Sequence, residues 1–491
     1  MAVCAGELPV DGRPRALTCD GREPGKWRVT ACYVLMVAAA VAAFLLIRGC
    51  GETLTAPAAE PHAAAQPGAP PNVDALFHVL LALAAVVAVG RALGGLFVYL
   101  GQPPVIGEVV AGILLGPSLL GWVAPGMSAY LLPASVAPYL GVISQVGVIL
   151  YMFLVGLDLN VGLLHRHGHA TLAISHASIV VPFVLGGLLA LALYPRLSSG
   201  DVPFTSFALF LGVALSVTAF PVLARILTDR GLTRTELGGL AIACAAVDDV
   251  TAWCLLAFVV GVAQAKVGGA LLVAALTVAY IAFMFLAVRP VLARLAARSD
   301  EVRLTQGGVA LVFVALLLSA LATELIGVHA LFGAFLLGAV IPHDSGLARA
   351  LTRKLEDVVI VLLLPAFFAF TGLRTQIGLV SGPGDWLVCG LILLVATAGK
   401  FGGTLAAGRL TGLGWRDAAA LGVLMNTRGL MELIVLNIGL DLGVISPTLF
   451  AMLVLMALAT TLATTPILQF LKRTAAAKKA RETVASVLPP C

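Results

Sequence analysis

Long apolar runs, repeated along most of the chain, constrain this sequence more than any other feature. A helix needs about 20 apolar residues to cross the hydrocarbon core of a bilayer, and these runs have that length. A membrane β-barrel would instead show strands of about 9–11 residues with alternating polarity. Of the 491 residues, 60% are hydrophobic and 11% charged, against roughly 45–50% and about 25% in soluble domains. No water-facing surface can be built at that ratio, which excludes a soluble enzyme. The expected fold is an all-α polytopic membrane protein.

Residues 1–30 are polar and basic, and a 17-residue apolar run over 31–47 follows. That pair of features fits either a signal segment or an extra membrane helix. Residues 48–74 read as a Pro/Ala-rich linker. Thirteen further spans are expected within a membrane domain at 75–472: 75–100, 103–120, 139–157, 169–194, 204–227, 236–264, 268–296, 305–326, 329–343, 355–373, 385–408, 417–440 and 446–471. Residues 473–491 form a short basic tail. With this count, the loops on one side carry 18 Lys and Arg residues and those on the other carry 3. Basic loops stay cytoplasmic, so the C-terminus is expected inside the cell, in a multi-pass plasma (cell inner) membrane protein. The net charge of +5 says nothing about nucleic acid, because the bases sit in these loops; the lipid bilayer is the expected partner, and no nucleic acid is. Eight single cysteines without a CxxC pair suggest neither a zinc site nor a disulfide framework, and no cofactor is expected.

Ionisable residues at membrane depth cost at least about 2.5–3.5 kcal/mol each and therefore mark function or pairing. Asp248 and Asp249 lie near the middle of span six. Adjacent helical residues point about 100° apart, so one carboxylate can line a cavity while the other meets a neighbouring helix. Lys400, in the middle of span eleven, needs a counter-charge, and an aspartate is the obvious one. Spans five and twelve carry mid-depth interruptions, Ser216-Val217-Thr218-Ala219-Phe220-Pro221 and Asn426-Thr427-Arg428-Gly429-Leu430-Met431-Glu432. Irregular backbone is tolerated at that depth only inside protein or beside a cavity. The two spans are an odd number of crossings apart, so the triplets four-five-six and eleven-twelve-thirteen have inverted topology. That pattern points to a transport site at the midplane. Arg428 and Glu432, one turn apart, can neutralise each other and are read as structural or gating. Glu108, Gln145 and Arg91 are weaker pathway candidates. His165, His167 and His169 could sense pH or be solvated loop residues.

Several segments resemble motifs of the monovalent cation:proton antiporter-2 family, the sodium– or potassium–proton exchangers. They are Gly101-Gln102-Pro103-Pro104-Val105-Ile106-Gly107-Glu108, Phe153-Leu154-Val155-Gly156-Leu157-Asp158, Thr218-Ala219-Phe220-Pro221-Val222 and the Asp248-Asp249 pair, with Lys400 on the helix where the family carries a basic residue. The resemblance implies thirteen spans with two crossed broken helices, a mobile core working by an elevator-like motion, and a homodimer. Span twelve resembles the plant cation–proton exchanger branch, which typically has Asn-Asp where this chain has Asp248-Asp249.

The expected function is secondary active exchange of Na⁺ or K⁺ for protons, electrogenic through the aspartate pair. Asp248, Asp249, Thr218 and Ser216 are the expected ion and proton ligands, Lys400 the charge partner, and Pro221, Asn426, Arg428 and Glu432 the broken-helix and gating residues. No metal is expected beyond the transported cation. A cation channel or ion sensor on the same fold is the alternative, although neither needs a proton-coupled carboxylate at the midplane. An intramembrane protease is disfavoured, because its formal signature at Gly382-Pro383-Gly384-Asp385 falls in a turn-rich loop.

Overall fold

The computed structural model describes residues 26–57, 75–133, 135–158, 168–198, 202–233, 235–264, 270–298 and 306–487, and every long element among them is helical. The long helices are α1 (Lys26–Gly51), α2 (Ala75–Tyr99), α3 (Pro104–Leu115), α4 (Ala137–Asp158), α5 (Gly168–Leu197), α6 (Phe204–Ser216), α7 (Phe220–Asp229) and α8 (Glu236–Gln264). Then come α9, from Ala270–Phe283 through Met284–Val288 into Arg289–Arg298, α10 (Gln306–Ile326) and α11 (Ala330–Val340). The rest are α12, from Gly346–Val358 through Val359–Leu363 into Leu364–Arg374, α13 (Gly382–Leu410), α14 (Trp415–Met425), α15 (Leu430–Asp441) and α16 (Pro447–Val487). Among the described residues, twelve helices are long and apolar enough to cross a membrane, and α14 with α15 forms one further, bent span. The span expected at 329–343 is the short apolar helix α11, which is below the length that crosses a bilayer by itself.

Three local outcomes depart from the sequence reading, each for a physical reason. Span ten begins at Gly346, well before residue 355, because its charged first turns form an amphipathic helix. That helix starts where Ser345 Oγ accepts the Ala348 N–H at 3.1 Å, an ordinary N-cap. Helices α9 and α12 each widen into a π-turn, Met284–Val288 and Val359–Leu363. A proline follows closely in both, Pro290 and Pro365, and its missing N–H disrupts the regular α-helical ladder. Helix α16 continues past the apolar stretch to Val487, so the basic tail is helical over residues 473–487.

Close helix contacts are made by glycine. A Cβ added at Gly112 of α3 would sit 2.1 Å from the Phe368 carbonyl oxygen of α12, and one added at Gly372 would sit 2.1 Å from the Gly112 backbone. Gly156 of α4 and Gly338 of α11 form a second pair, where added Cβ atoms would meet the Phe335 and Phe153 carbonyl oxygens at 2.2 and 2.3 Å. Without water to drive association, membrane helices gain most from such close packing.

Helix α1 packs on α5 and α6, with Tyr33 edge-on to His176 and Phe44 beside Phe183. It is longer than the 17-residue run read from sequence. The basic segment before it, most of the linker and the His165–His167–His169 cluster lie outside the described residues or side chains.

Candidate functional site

Both interrupted spans are broken, and the breaks cross. Helix α6 stops at Ser216, Val217–Ala219 are non-helical, and α7 restarts at Phe220 with Pro221 in its first turn. Proline is tolerated there because first-turn N–H groups have no helical partner. Pro221, expected as a broken-helix residue, thus opens the second half-helix. Helix α14 ends at Met425 and α15 restarts at Leu430, bent by 46°. At the crossing the Ala219 N–H donates to the Thr427 carbonyl at 2.9 Å. A Cβ on Gly429 would come within 2.9 Å of Val222 Cγ2, so glycine lets the two breaks touch. The spans run antiparallel, since Gly439 lies against Phe210 while Gly429 lies against Val222.

A helix end leaves four carbonyls without partners and carries partial negative charge. At the end of α6 two cations meet this demand. Arg428 donates from its two terminal nitrogens to the Ala214 carbonyl at 2.9 Å and the Leu215 carbonyl at 2.6 Å. Lys400 Nζ donates to the Ser216 carbonyl. Arg428 also pairs with Glu432 Oε2 at 2.9 Å, with both side chains fully buried. The neutralisation expected from sequence is therefore present. What spacing did not reveal is that Arg428 also caps the other broken helix.

Lys400 reaches Asp248 Oδ2 at 3.1 Å, again with both side chains fully buried. Three hydroxyls complete the shell of Asp248. Ser175 Oγ donates to Oδ1 at 2.5 Å, Ser178 Oγ to Oδ2 at 2.6 Å, and Thr218 Oγ1 to Oδ2 at 2.8 Å. Ser175 and Ser178, three residues apart on α5, were not recognised in the sequence. The available signal was the Ser-x-x-Ser spacing, which puts both hydroxyls on one face of an apolar helix.

Asp249 is the contrasting neighbour. It is buried beside the Phe220 backbone N–H that opens α7, yet its Oδ2 has no hydrogen-bond partner. Asn426 Oδ1 and Thr427 Oγ1, both in the second break, are likewise buried without partners. Of the other expected ligands, Thr218 turns its hydroxyl to Asp248. Ser216 commits its hydroxyl to the Gly212 and Ile179 carbonyls at 2.6 and 3.0 Å. Glu108 is buried beside Gly90 and Gly94 of α2. Gln145 lines a small cleft with Ser144, His329, Asn437 and Asp441.

Two cations and three carboxylates thus share a buried site. Lys400 faces Asp248 and Arg428 faces Glu432, while Asp249 has no ion-pair partner among the described residues. A charge buried without a partner is costly, which sets Asp249 apart from the two paired carboxylates.

A sequence profile of the sodium/hydrogen exchanger transmembrane family matches residues 76–472. The chain belongs to that family. It is 44% identical over 399 residues to the Na⁺/H⁺ antiporter NhaS4 of Synechocystis sp., covering 81% of this chain and 97% of that protein. It is 41% identical to cation/H⁺ antiporter 20 of Arabidopsis thaliana over 79% of this chain and 48% of the plant protein. With the K⁺/H⁺ antiporter 1 of Saccharomyces cerevisiae the identity is 35%, over 75% of this chain and 42% of the yeast protein. The chain spans about half the length of the plant and yeast relatives. Its fold matches the sodium–proton antiporter MjNhaP1 of Methanocaldococcus jannaschii with a TM-score of 0.60 at 14% identity, covering 80% of this chain and 98% of that one. This family member is a multi-pass cation/proton antiporter, and its family is one of transporters rather than enzymes.

Proposed function

We propose that Asp249 is the shared site at which a monovalent cation and a proton replace each other. The observation that carries this reading is the unpartnered, buried Oδ2 of Asp249 beside two neutralised ion pairs. Desolvation favours the neutral form of a carboxylate, so the empty site holds a proton. A dehydrated Na⁺ or K⁺ displaces it, and the partnerless oxygens of Asn426 and Thr427 are freer to serve as co-ligands than the committed hydroxyls of Thr218 and Ser216. Competition for one carboxylate is enough to make exchange obligatory. Arg428 and Glu432 keep the two breaks in register.

Exchange is electrogenic in this reading. Cation binding at Asp249 lets Lys400 part from Asp248, and an unpaired lysine in a dry site favours its neutral form. One proton from Asp249 and one from Lys400 then move against each cation. The protein works as a homodimer in the plasma membrane with its C-terminus in the cytoplasm, and Na⁺ is the first cation to try, given NhaS4. A channel would need no such exchangeable carboxylate.

In proteoliposomes, Asp249→Asn and Asp249→Cys abolish Na⁺- or K⁺-driven proton flux while expression is retained. Full exchange by either variant overturns the assignment. A wild-type flux that an imposed membrane potential neither drives nor reverses overturns the two-proton stoichiometry alone.

A further inference from the structure

Removing a proton from Lys400 leaves Asp248 as a buried anion without its cation, which is ordinarily prohibitive. The Asp248 shell offers a way around this. Ser175 and Ser178 are fully buried, and each aims its hydroxyl at a different Asp248 oxygen, at 2.5 and 2.6 Å. Both distances are shorter than the 3.1 Å to Lys400. Both donors stand on α5, whereas Lys400 stands on α13, so the hydroxyls can stay in place when the lysine withdraws. Hydroxyl donors carry no net charge, and a carboxylate accepting two or three hydrogen bonds remains ionised without a cation.

We propose that Ser175 and Ser178 are positioning residues that hold Asp248 ionised and oriented while Lys400 releases its proton to water. The inference rests on the two-proton reading of exchange given above. The charged and titratable groups around this unit are few. Lys400 faces Asp248, Arg428 and Glu432. Asp248 has Lys400 and Asp249 beside it and Cys244 one turn away on α8. Asp249 faces Tyr151 of α4. None of these is a second neutral donor pair that could take over from the serines. Thr218 alone would remain, with the Met425 carbonyl at 3.3 Å as an alternative partner, as Ser178 has the Ser175 carbonyl at 2.9 Å.

The test compares wild type, Ser175→Ala/Ser178→Ala and Ser175→Thr/Ser178→Thr in proteoliposomes. Proton flux is measured against pH and against an imposed membrane potential. Without the serine hydroxyls, Lys400 must hold its proton more tightly to keep Asp248 compensated. The pH midpoint of exchange then moves to the alkaline side by about one unit or more, since one unit corresponds to the loss of roughly one good hydrogen bond. The response to voltage weakens as Lys400 stops contributing its proton. The threonine pair, which keeps both hydroxyls, restores both readouts.

If wild type responds to voltage and the alanine pair keeps its pH midpoint and voltage response, this inference is overturned and the two-proton reading stands. If wild type ignores voltage, both fall. Should the alanine pair fail to purify as a monodisperse protein, each single alanine variant is measured the same way. An unchanged profile in both singles also overturns the role.

Discussion

Replacing Arg428 by alanine removes three interactions at once, and the structure allows the loss to be apportioned. Glu432 loses its ion-pair partner at 2.9 Å in a site where neither side chain is exposed. Breaking such a pair from one side costs about 3–5 kcal/mol, because the remaining charge is buried alone. The Ala214 and Leu215 carbonyls at the end of α6 also lose their donor, at about 1–3 kcal/mol each. Against a total stability of about 5–15 kcal/mol, Arg428→Ala brings the protein close to unfolding. Arg428→Ala/Glu432→Gln removes the stranded charge and leaves only the two carbonyls. It recovers about 3–5 kcal/mol of the loss but stays below wild type. The assay is a double-mutant cycle on unfolding of the purified protein in detergent, followed by size-exclusion chromatography after heating. If the double variant is no more stable than Arg428→Ala, the Glu432 pair is not what the arginine serves. If Arg428→Ala lies within about 1 kcal/mol of wild type, the capping account fails as a whole, because two orphaned carbonyls alone exceed that.

Gly372→Ala places a Cβ 2.1 Å from the Gly112 backbone and has to separate α3 from α12. The expected loss is about 1–3 kcal/mol, read as a lower midpoint in the same heating assay, and no loss would mean these helices are not in contact. His329 precedes α11 and its side chain accepts the Leu331 N–H, which requires a deprotonated ring nitrogen. The folded state therefore favours neutral His329, and its stability falls as the imidazole takes up a proton below about pH 6.5. His329→Asn keeps a capping oxygen but cannot titrate. Its thermal stability between pH 7.5 and 5 should lose a component of about 1 kcal/mol that wild type shows, and parallel curves for the two proteins would refute the cap.

The spans were legible because a bilayer imposes a length and a composition on every helix that crosses it. The breaks were legible because a run of polar residues at mid-depth is costly unless irregular backbone or a buried partner claims it. Their place was legible within 216–221 and 426–432, but not the partners that hold them. Pro221 attracts attention in the sequence, yet the chain leaves the helix at Val217, where the carbonyls of α6 find cations contributed from residues 400 and 428. No local pattern at 214–216 announces partners some two hundred positions away. The Asp248–Lys400 pair could be inferred, since each buried charge demanded the other. Ser175 and Ser178 escaped notice because serine is small and ordinary in membrane helices, and only the fold shows both hydroxyls turned to one carboxylate. The charged start of α12 resembled a loop because five ionisable residues fall between 349 and 357, although in helical form they gather on the exposed side.

If a cation and a proton contend for Asp249, cation binding must release a proton even without a membrane or a gradient. Titrating Na⁺ or K⁺ into the detergent-purified protein by calorimetry, in buffers of different ionisation enthalpy, counts the protons released per cation bound. Wild type should release at least one proton per cation at a pH where the empty site is protonated. Asp249→Asn should show neither binding nor release under the same conditions. Cation binding by wild type with no proton released, or release undiminished in Asp249→Asn, would contradict the account.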